Sequence, residues 1–159
     1  SGLTNVHPVA IAHERDERID RLAGKMDRVL VDAPCSGLGT LRRHPDLKWR
    51  QSPAGVQALT ASQQTILASA ARLVKPGGRL VYATCSLLRE ENEAVAQAFG
   101  GAHGDFALQD VGALLHTLKV PQAQTLCTGA AGAAGQVLRL WPHRHGTDGF
   151  FAAVWRRRA

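Results

Sequence analysis

The chain has few cysteine, methionine and aromatic residues: 159 residues include three Cys, one Met and one Tyr, and Phe, Trp and Tyr together make up 5%. The cysteines, Cys35, Cys85 and Cys127, form an odd set without C-x-x-C spacing. That argues against a disulfide framework or a zinc knuckle and leaves each thiol to be read singly. No apolar run approaches the roughly 18 residues of a membrane span. Ser1 to Asn5 is polar and the next dozen residues carry several charges, unlike the apolar core of a secretory signal. These absences lead us to expect a cytoplasmic location, no membrane and no metal. The chain also opens on SGLTNVHP without an initiating Met, so a segment upstream of these residues is expected.

What is present fits one soluble domain, with 45% hydrophobic and 20% charged residues, at a length that buries a stable core. The net charge of +6 favours a polyanionic partner such as nucleic acid. Much of the excess sits in RRHPDLKWR, residues 42–50, and in the C-terminal WPHRH and WRRRA, stretches that can meet in space. The plainer reading of each is a solvated surface or a frayed tail.

Hydrophobic patterning alternates strands and helices. Val6 to Ala12 reads as a short strand and DRVLVDAP as a buried strand, since Val29, Leu30 and Val31 form a continuous apolar run. Residues 42–53 read as a long polar loop. Ser52 can cap a helix with Pro53 at its first position, and Val56, Leu59, Gln63, Ile66, Leu67, Ala70 and Leu73 recur at helical spacing. A break near Thr60 to Ser62 and a stop at Pro76-Gly77-Gly78 are expected. RLVYATCS is a second strand. REENEAVAQAFG is a helix entered through Glu90 to Glu93 and closed at Gly100. DFALQDV, QVLRLWP and GFFAAVWRR are strand candidates, and GAAGAAG is a loop. This order predicts an open α/β sheet, in which ligands bind beyond the carboxyl ends of strands.

DAPCSG and TCS both fall at such ends, which can bring Asp32, Cys35 and Cys85 to one rim. A thiolate there is a soft nucleophile able to add to an electron-poor double bond. A carboxylate beside it can accept from an exocyclic amine such as that of cytosine. The bland alternative for each cysteine is a buried small hydrophobe.

With these residues in hand, DRVLVDAPCSGLGTLRRHPDLKWR, LVKPGGRLVYATCSLLREENEAVAQAF and HRHGTDGFFAAVWRR resemble the catalytic half of the Nop/Sun family of RNA cytosine-5 methyltransferases, nearest its bacterial ribosomal members. The likeness runs from Asp27 onward and is looser over residues 100–137. It implies ribosomal RNA as substrate, S-adenosylmethionine as cofactor, and Cys85 as the nucleophile toward carbon 6 of a flipped-out cytosine. It further implies that Asp32 stabilises the protonated base and that Cys35 assists release. Asp32 and Pro34 are expected beside the cofactor. Arg42, Arg43 and Lys48 are expected on RNA phosphates, and His44 or Trp49 stacked on a base. Asp148 to Phe151 would support the rim.

The family's Gly-rich cofactor loop, an acidic residue followed by PGGK on the first strand, is not in this sequence, and neither is the acidic ribose ligand. The expectation is therefore a partial Rossmann-like methyltransferase sheet lacking its first strands, a C-terminal portion of the catalytic domain over residues 1–159. By itself it should be inactive and should not bind the cofactor. Its Val29 to Asp32 edge should either pair in a homodimer or be covered by Val6 to Ala12. Two alternatives stay open: a non-catalytic nucleic-acid-binding module with structural cysteines, and a thiol-dependent hydrolase pairing Cys85 with His143 or His145.

Overall fold

A computed structural model describes residues 2–129 and 136–159, so the expected GAAGAAG loop lies, from residue 130 on, outside the described residues. In chain order the elements are α1 (Glu17–Asp20), β1 (Met26–Asp32), a 3₁₀ turn (Leu38–Thr40), α2 (Leu47–Arg50), α3 (Pro53–Ala71) and β2 (Val74–Thr84). There follow α4 (Glu93–Ala102), β3 (Phe106–Leu108), α5 (Val111–Thr117), a second 3₁₀ turn (Ala123–Leu126), β4 (Cys127–Gly129), β5 (Gln136–Leu140), α6 (Pro142–His145) and β6 (Phe150–Arg157). The expected α/β class holds. The strands form one sheet in the order β1-β2-β6-β5-β4, with β3 also on β6. β1 and β2 run parallel, and the other pairings are antiparallel.

Helix α3 starts where the sequence places it: the Ser52 hydroxyl accepts from Gly55 N–H, and Pro53 fills the first turn, where a missing donor costs nothing. It carries the chain back to start β2 beside β1, so both carboxyl ends reach one rim. Helices α3 and α4 pack on one sheet face, where Leu80, Tyr82, Phe151 and Trp155 are buried. Full burial of such side chains contributes roughly 1.5–3 kcal/mol each. Phe99 of α4 meets Trp155 edge-on at 4.8 Å. Among the described residues no helix is long and apolar enough to cross a membrane.

The structure corrects several expectations. Helix α3 runs unbroken through Thr60 to Ser62. Pro76-Gly77-Gly78 does not end a helix but lies inside β2, at a register shift opposite Met26 and Arg28 that absorbs the proline and the left-handed Gly77. Val6 to Ala12 is not a strand. Its Val6, Val9 and Ile11 are exposed, and Ala12 N–H donates to Asp16 instead of to a sheet. It does not cover β1, whose outer edge is unpaired among the described residues and whose Leu30 is 67% exposed.

The expected polar loop at residues 42–53 contains α2. Helix α4 begins at Glu93, because Glu91 and Asn92 turn inward, and it passes through Gly100 to Ala102. Of DFALQDV only Phe106–Leu108 is strand, since Asp110 leaves the sheet to cap α5. The C-terminal arginines are not frayed: Arg157 pairs with Asp105 and donates to the Val74 carbonyl.

Candidate active site

Parallel pairing of β1 with β2, Asp32 opposite Ala83, delivers the loops that follow to the same rim. Cys35 Sγ and Cys85 Sγ lie 3.5 Å apart there, across fifty residues of sequence. Burial pushes the Cys35 thiol up to about 12, and the neighbouring Cys85 adds to this against a lowering hydrogen bond from Gly37 N–H. Cys35 is therefore a thiol at neutral pH. Asp32 and Pro34 are exposed at the end of β1.

A buried polar cluster under the rim holds the two loops together. Glu91, fully buried, accepts from Ser36 N–H at 2.8 Å, from the Ser36 and Ser86 hydroxyls and from the Gln63 amide at 3.1 Å. Donors converging on both oxygens satisfy a carboxylate that has lost its water. The same Gln63 amide donates to the Pro34 carbonyl at 2.9 Å, and Gln51 donates to the Ser36 carbonyl at 2.7 Å. Asn92 donates to the Ser86 carbonyl at 2.9 Å and accepts from the Thr84 hydroxyl. Pro34, Cys35 and Ser36 are thus each tied to α3 or to the loop that carries Cys85.

On the other side, Gly39 N–H donates to the Cys85 carbonyl and Gly149 N–H to the Gly39 carbonyl, both at 2.8 Å. A Cβ on Gly39 would lie 2.3 Å from Gly149 O and 2.5 Å from Cys85 O, so only glycine admits this approach. Glu91, Gln63, Ser36, Ser86, Asn92 and Gly39 were not among the site residues read from the sequence, where Gln63 figured only in the helical spacing. Glu91 sits in a run of acidic residues that reads as a solvated helix entrance, and no local signal marks it as buried.

The structure brings part of the two basic stretches together. Arg42 Nε donates to Asp148 Oδ1 at 2.6 Å and Arg43 Nε lies 3.0 Å from Asp148 Oδ2, while Arg42 also donates to the Gly146 carbonyl. The Arg42 bond holds the Asp148 carboxyl below the usual carboxylate range, with the charge of Arg43 adding to it. Arg42 and Arg43, expected on phosphates, are therefore paired within the chain. On α2, Lys48 lies 4.8 Å from the Trp49 ring centre, and Trp49 is 80% exposed. His44 is exposed in the same loop. The WRRRA stretch is not part of this surface, because it lies at the far end of β6, roughly 25 Å along an eight-residue strand.

The hydrolase alternative does not fit. Among the described residues Cys85 Sγ has Cys35 as its hydrogen-bonding neighbour and no histidine. His145 is engaged elsewhere, accepting from Trp141 N–H at Nδ1 and donating from Nε2 to the Thr125 carbonyl. Among the described residues no group of His, Cys, Asp and Glu could hold a metal ion.

Residues 3–156 match the family model described as 16S rRNA methyltransferase RsmB/F. A Synechocystis protein named probable ribosomal RNA small subunit methyltransferase B is 44% identical over 128 residues, covering 80% of this chain and 26% of that protein. The Bacillus subtilis protein of the same name is 39% identical over 158 residues, 99% of this chain and 33% of the relative. Among solved structures, NSun6 from Pyrococcus horikoshii with SFG superposes with a TM-score of 0.73 at 28% identity, covering 99% of this chain and 36% of that one. PH0851 superposes with a TM-score of 0.68 at 37% identity, covering 85% of this chain and 27% of that one. The chain thus spans about a quarter to a third of the length of these relatives.

Proposed function

The chain belongs to the 16S rRNA methyltransferase RsmB/F family, and on that premise we propose that it is the nucleophile-bearing, C-terminal portion of a catalytic domain that methylates carbon 5 of a cytosine in ribosomal RNA. Its place is the cytoplasm, with its substrate. The observation that supports the reading is the pair of thiols, Cys35 and Cys85, 3.5 Å apart at the ends of two parallel strands.

In this reading the cytosine is flipped out of its stack to reach the rim. The Cys85 thiolate adds to carbon 6, forming a C–S bond and moving the C5=C6 electron pair toward carbon 5. Asp32 hydrogen-bonds the base and stabilises the ring protonated at N3. After methyl transfer, loss of the carbon 5 proton to a base re-forms C5=C6, and the C–S electron pair leaves with Cys85. Cys35, held protonated by burial, donates a hydrogen bond to the departing sulfur. Trp49 offers a stacking face and Lys48 a phosphate contact. His44, Arg42 and Arg43 line the same approach.

S-adenosylmethionine supplies the methyl group when bound. One exposed carboxylate and one proline, Asp32 and Pro34, do not make a cradle for it. Its binding is assigned to the longer protein, and the 159-residue chain alone is read as inactive.

The test uses that longer protein, S-adenosylmethionine and RNA in which 5-fluorocytosine blocks loss of the carbon 5 substituent. A covalent protein–RNA band that disappears in Cys85→Ala is expected. A band that persists in that variant, or no band from the intact enzyme, overturns the assignment.

A further inference from the structure

A cavity of about 690 Å³ opens beside the rim, between the 3₁₀ turn Ala123–Leu126, strand β4 and the turn that joins β5 to α6. Its position follows from the sheet. Leu140 at the end of β5 pairs with Phe150 at the start of β6, so the cavity lies at the edge that carries both cysteine loops. Arg139 joins the two places directly, because its Nη2 donates to the carbonyl of Leu87, two residues past Cys85, at 2.9 Å.

The wall carries cations, an amide and hydroxyls. Arg139 is 3% exposed, its guanidinium lies 4.5 Å from the Trp141 ring centre, and its Nε and Nη1 have no hydrogen-bond partner among the described residues. Glu93 Oε1 lies 3.7 Å from Nη1, too far for a hydrogen bond. Arg144 stands exposed at the wall, Gln124 and Thr128 contribute an amide and a hydroxyl, and among the described residues no carboxylate lines the cavity. Cations suit a phosphate, while amides and hydroxyls suit base edges and a ribose 2′-OH. The volume falls within the roughly 300–1,000 Å³ of small-molecule sites.

We propose that this cavity holds a nucleotide of the substrate RNA next to the target cytosine, its phosphate on Arg144 and its base against Gln124 and Thr128. The inference rests on the reading of RNA as substrate and adds to it a second subsite at β5 and β4, across the intervening strand β6 from the cysteines. It also gives a function to the WPHRH segment, which the cysteine chemistry leaves unused.

Cys127, half-buried in the cavity wall, provides the readout. In the Cys35→Ser/Cys85→Ser variant of this chain it is the remaining thiol, and its labelling by a maleimide is followed with and without a short cytosine-containing single-stranded RNA. RNA at about ten times its Kd is expected to slow labelling roughly tenfold, since only the unoccupied fraction reacts. Arg144→Ala should weaken binding and lower the slope of log affinity against log salt by about one. Gln124→Ala should weaken binding without changing the slope, and Arg15→Ala should do neither.

RNA that binds while Cys127 labels at its free rate overturns the inference and leaves the RNA reading standing. Equal protection by inorganic phosphate at the same concentration also overturns it, as an anion site without nucleotide recognition. RNA that fails to bind removes the subsite together with the RNA contacts on α2. The adduct assay on the longer protein reads the Cys85 chemistry separately.

Discussion

Cys35 and Cys85 stand 3.5 Å apart, and burial, with the neighbouring sulfur adding to it, pushes the Cys35 thiol up to about 12. In the proposed mechanism Cys85 attacks and Cys35 assists release, so the two thiols should separate in function. In the longer protein, Cys35→Ala is expected to leave adduct formation intact and let the adduct with unmodified RNA persist, whereas Cys85→Ala removes it. Gel mobility of the RNA-linked protein reads both. Normal turnover in Cys35→Ala would disprove the division.

The raised Cys35 thiol has a pH signature. A thiol whose folded value is raised stabilises the fold below its unfolded value, roughly 8.5, and loses that contribution as pH rises through the folded value. Between about pH 9 and 12, iodoacetamide should alkylate Cys35 more slowly in the folded chain than in urea, as read by peptide mass spectrometry. Equal rates would show the site to be wet.

Glu91 should be the most costly polar side chain to truncate. Glu91→Ala strands donors from Ser36, Ser86 and Gln63 in a buried site. A loss of about 3–5 kcal/mol in urea unfolding is expected. Glu91→Gln keeps the shape but brings an NH₂ against donors, and should cost about half as much. A loss below 1 kcal/mol for the alanine variant (about the worth of one ordinary hydrogen bond) would mean that the cluster is already hydrated.

Gly39→Ala should act on the site through packing. Its Cβ meets backbone oxygens of both Gly149 and Cys85, so a strand-end loop must move. We expect a loss of roughly 1–3 kcal/mol and, in the longer protein, weaker adduct formation at unchanged RNA affinity.

Under the proposed function, Asp148 competes with RNA for Arg42 and Arg43, which it pairs in this structure. Asp148→Asn should strengthen RNA binding by this chain and steepen its log–log salt slope by up to about two. The native carboxyl is held low by Arg42, so this ion pair stabilises the fold above the unfolded Asp value of about 3.9 and is lost as pH falls through the folded value. Acid unfolding monitored by circular dichroism should lose part of its steepness below about pH 4 in the Asn variant.

The open edge of β1 should drive self-association. With Leu30 67% exposed and the outer backbone groups unpaired among the described residues, light scattering of this chain should show a concentration-dependent dimer. Leu30→Lys should shift it toward monomer. A monomer at high concentration for the unaltered chain would disprove this.

Much of the architecture was legible locally. Ser52-Pro53 announced α3, the apolar run at Val29 to Val31 announced β1, and both cysteines could be placed at strand ends because strand and turn patterns are short-range signals. Val6 to Ala12 misled, since apolar residues become a strand only when a neighbour accepts their backbone hydrogen bonds. Helix α5 was missed because its start is set by Asp110 leaving the sheet.

The sequence by itself determined the residue types at the rim, the α/β class and the placement of Cys35 and Cys85 at strand ends, because these depend on motif and period. Only the tertiary structure decided that the two sulfurs touch, that Glu91 lies beneath them, that Asp148 occupies Arg42 and Arg43, and that Arg139 lies buried beside a cavity on the same edge. Each of these joins residues 46 to 106 positions apart, a separation that only parallel pairing of β1 with β2 and antiparallel return of β5 and β6 can close.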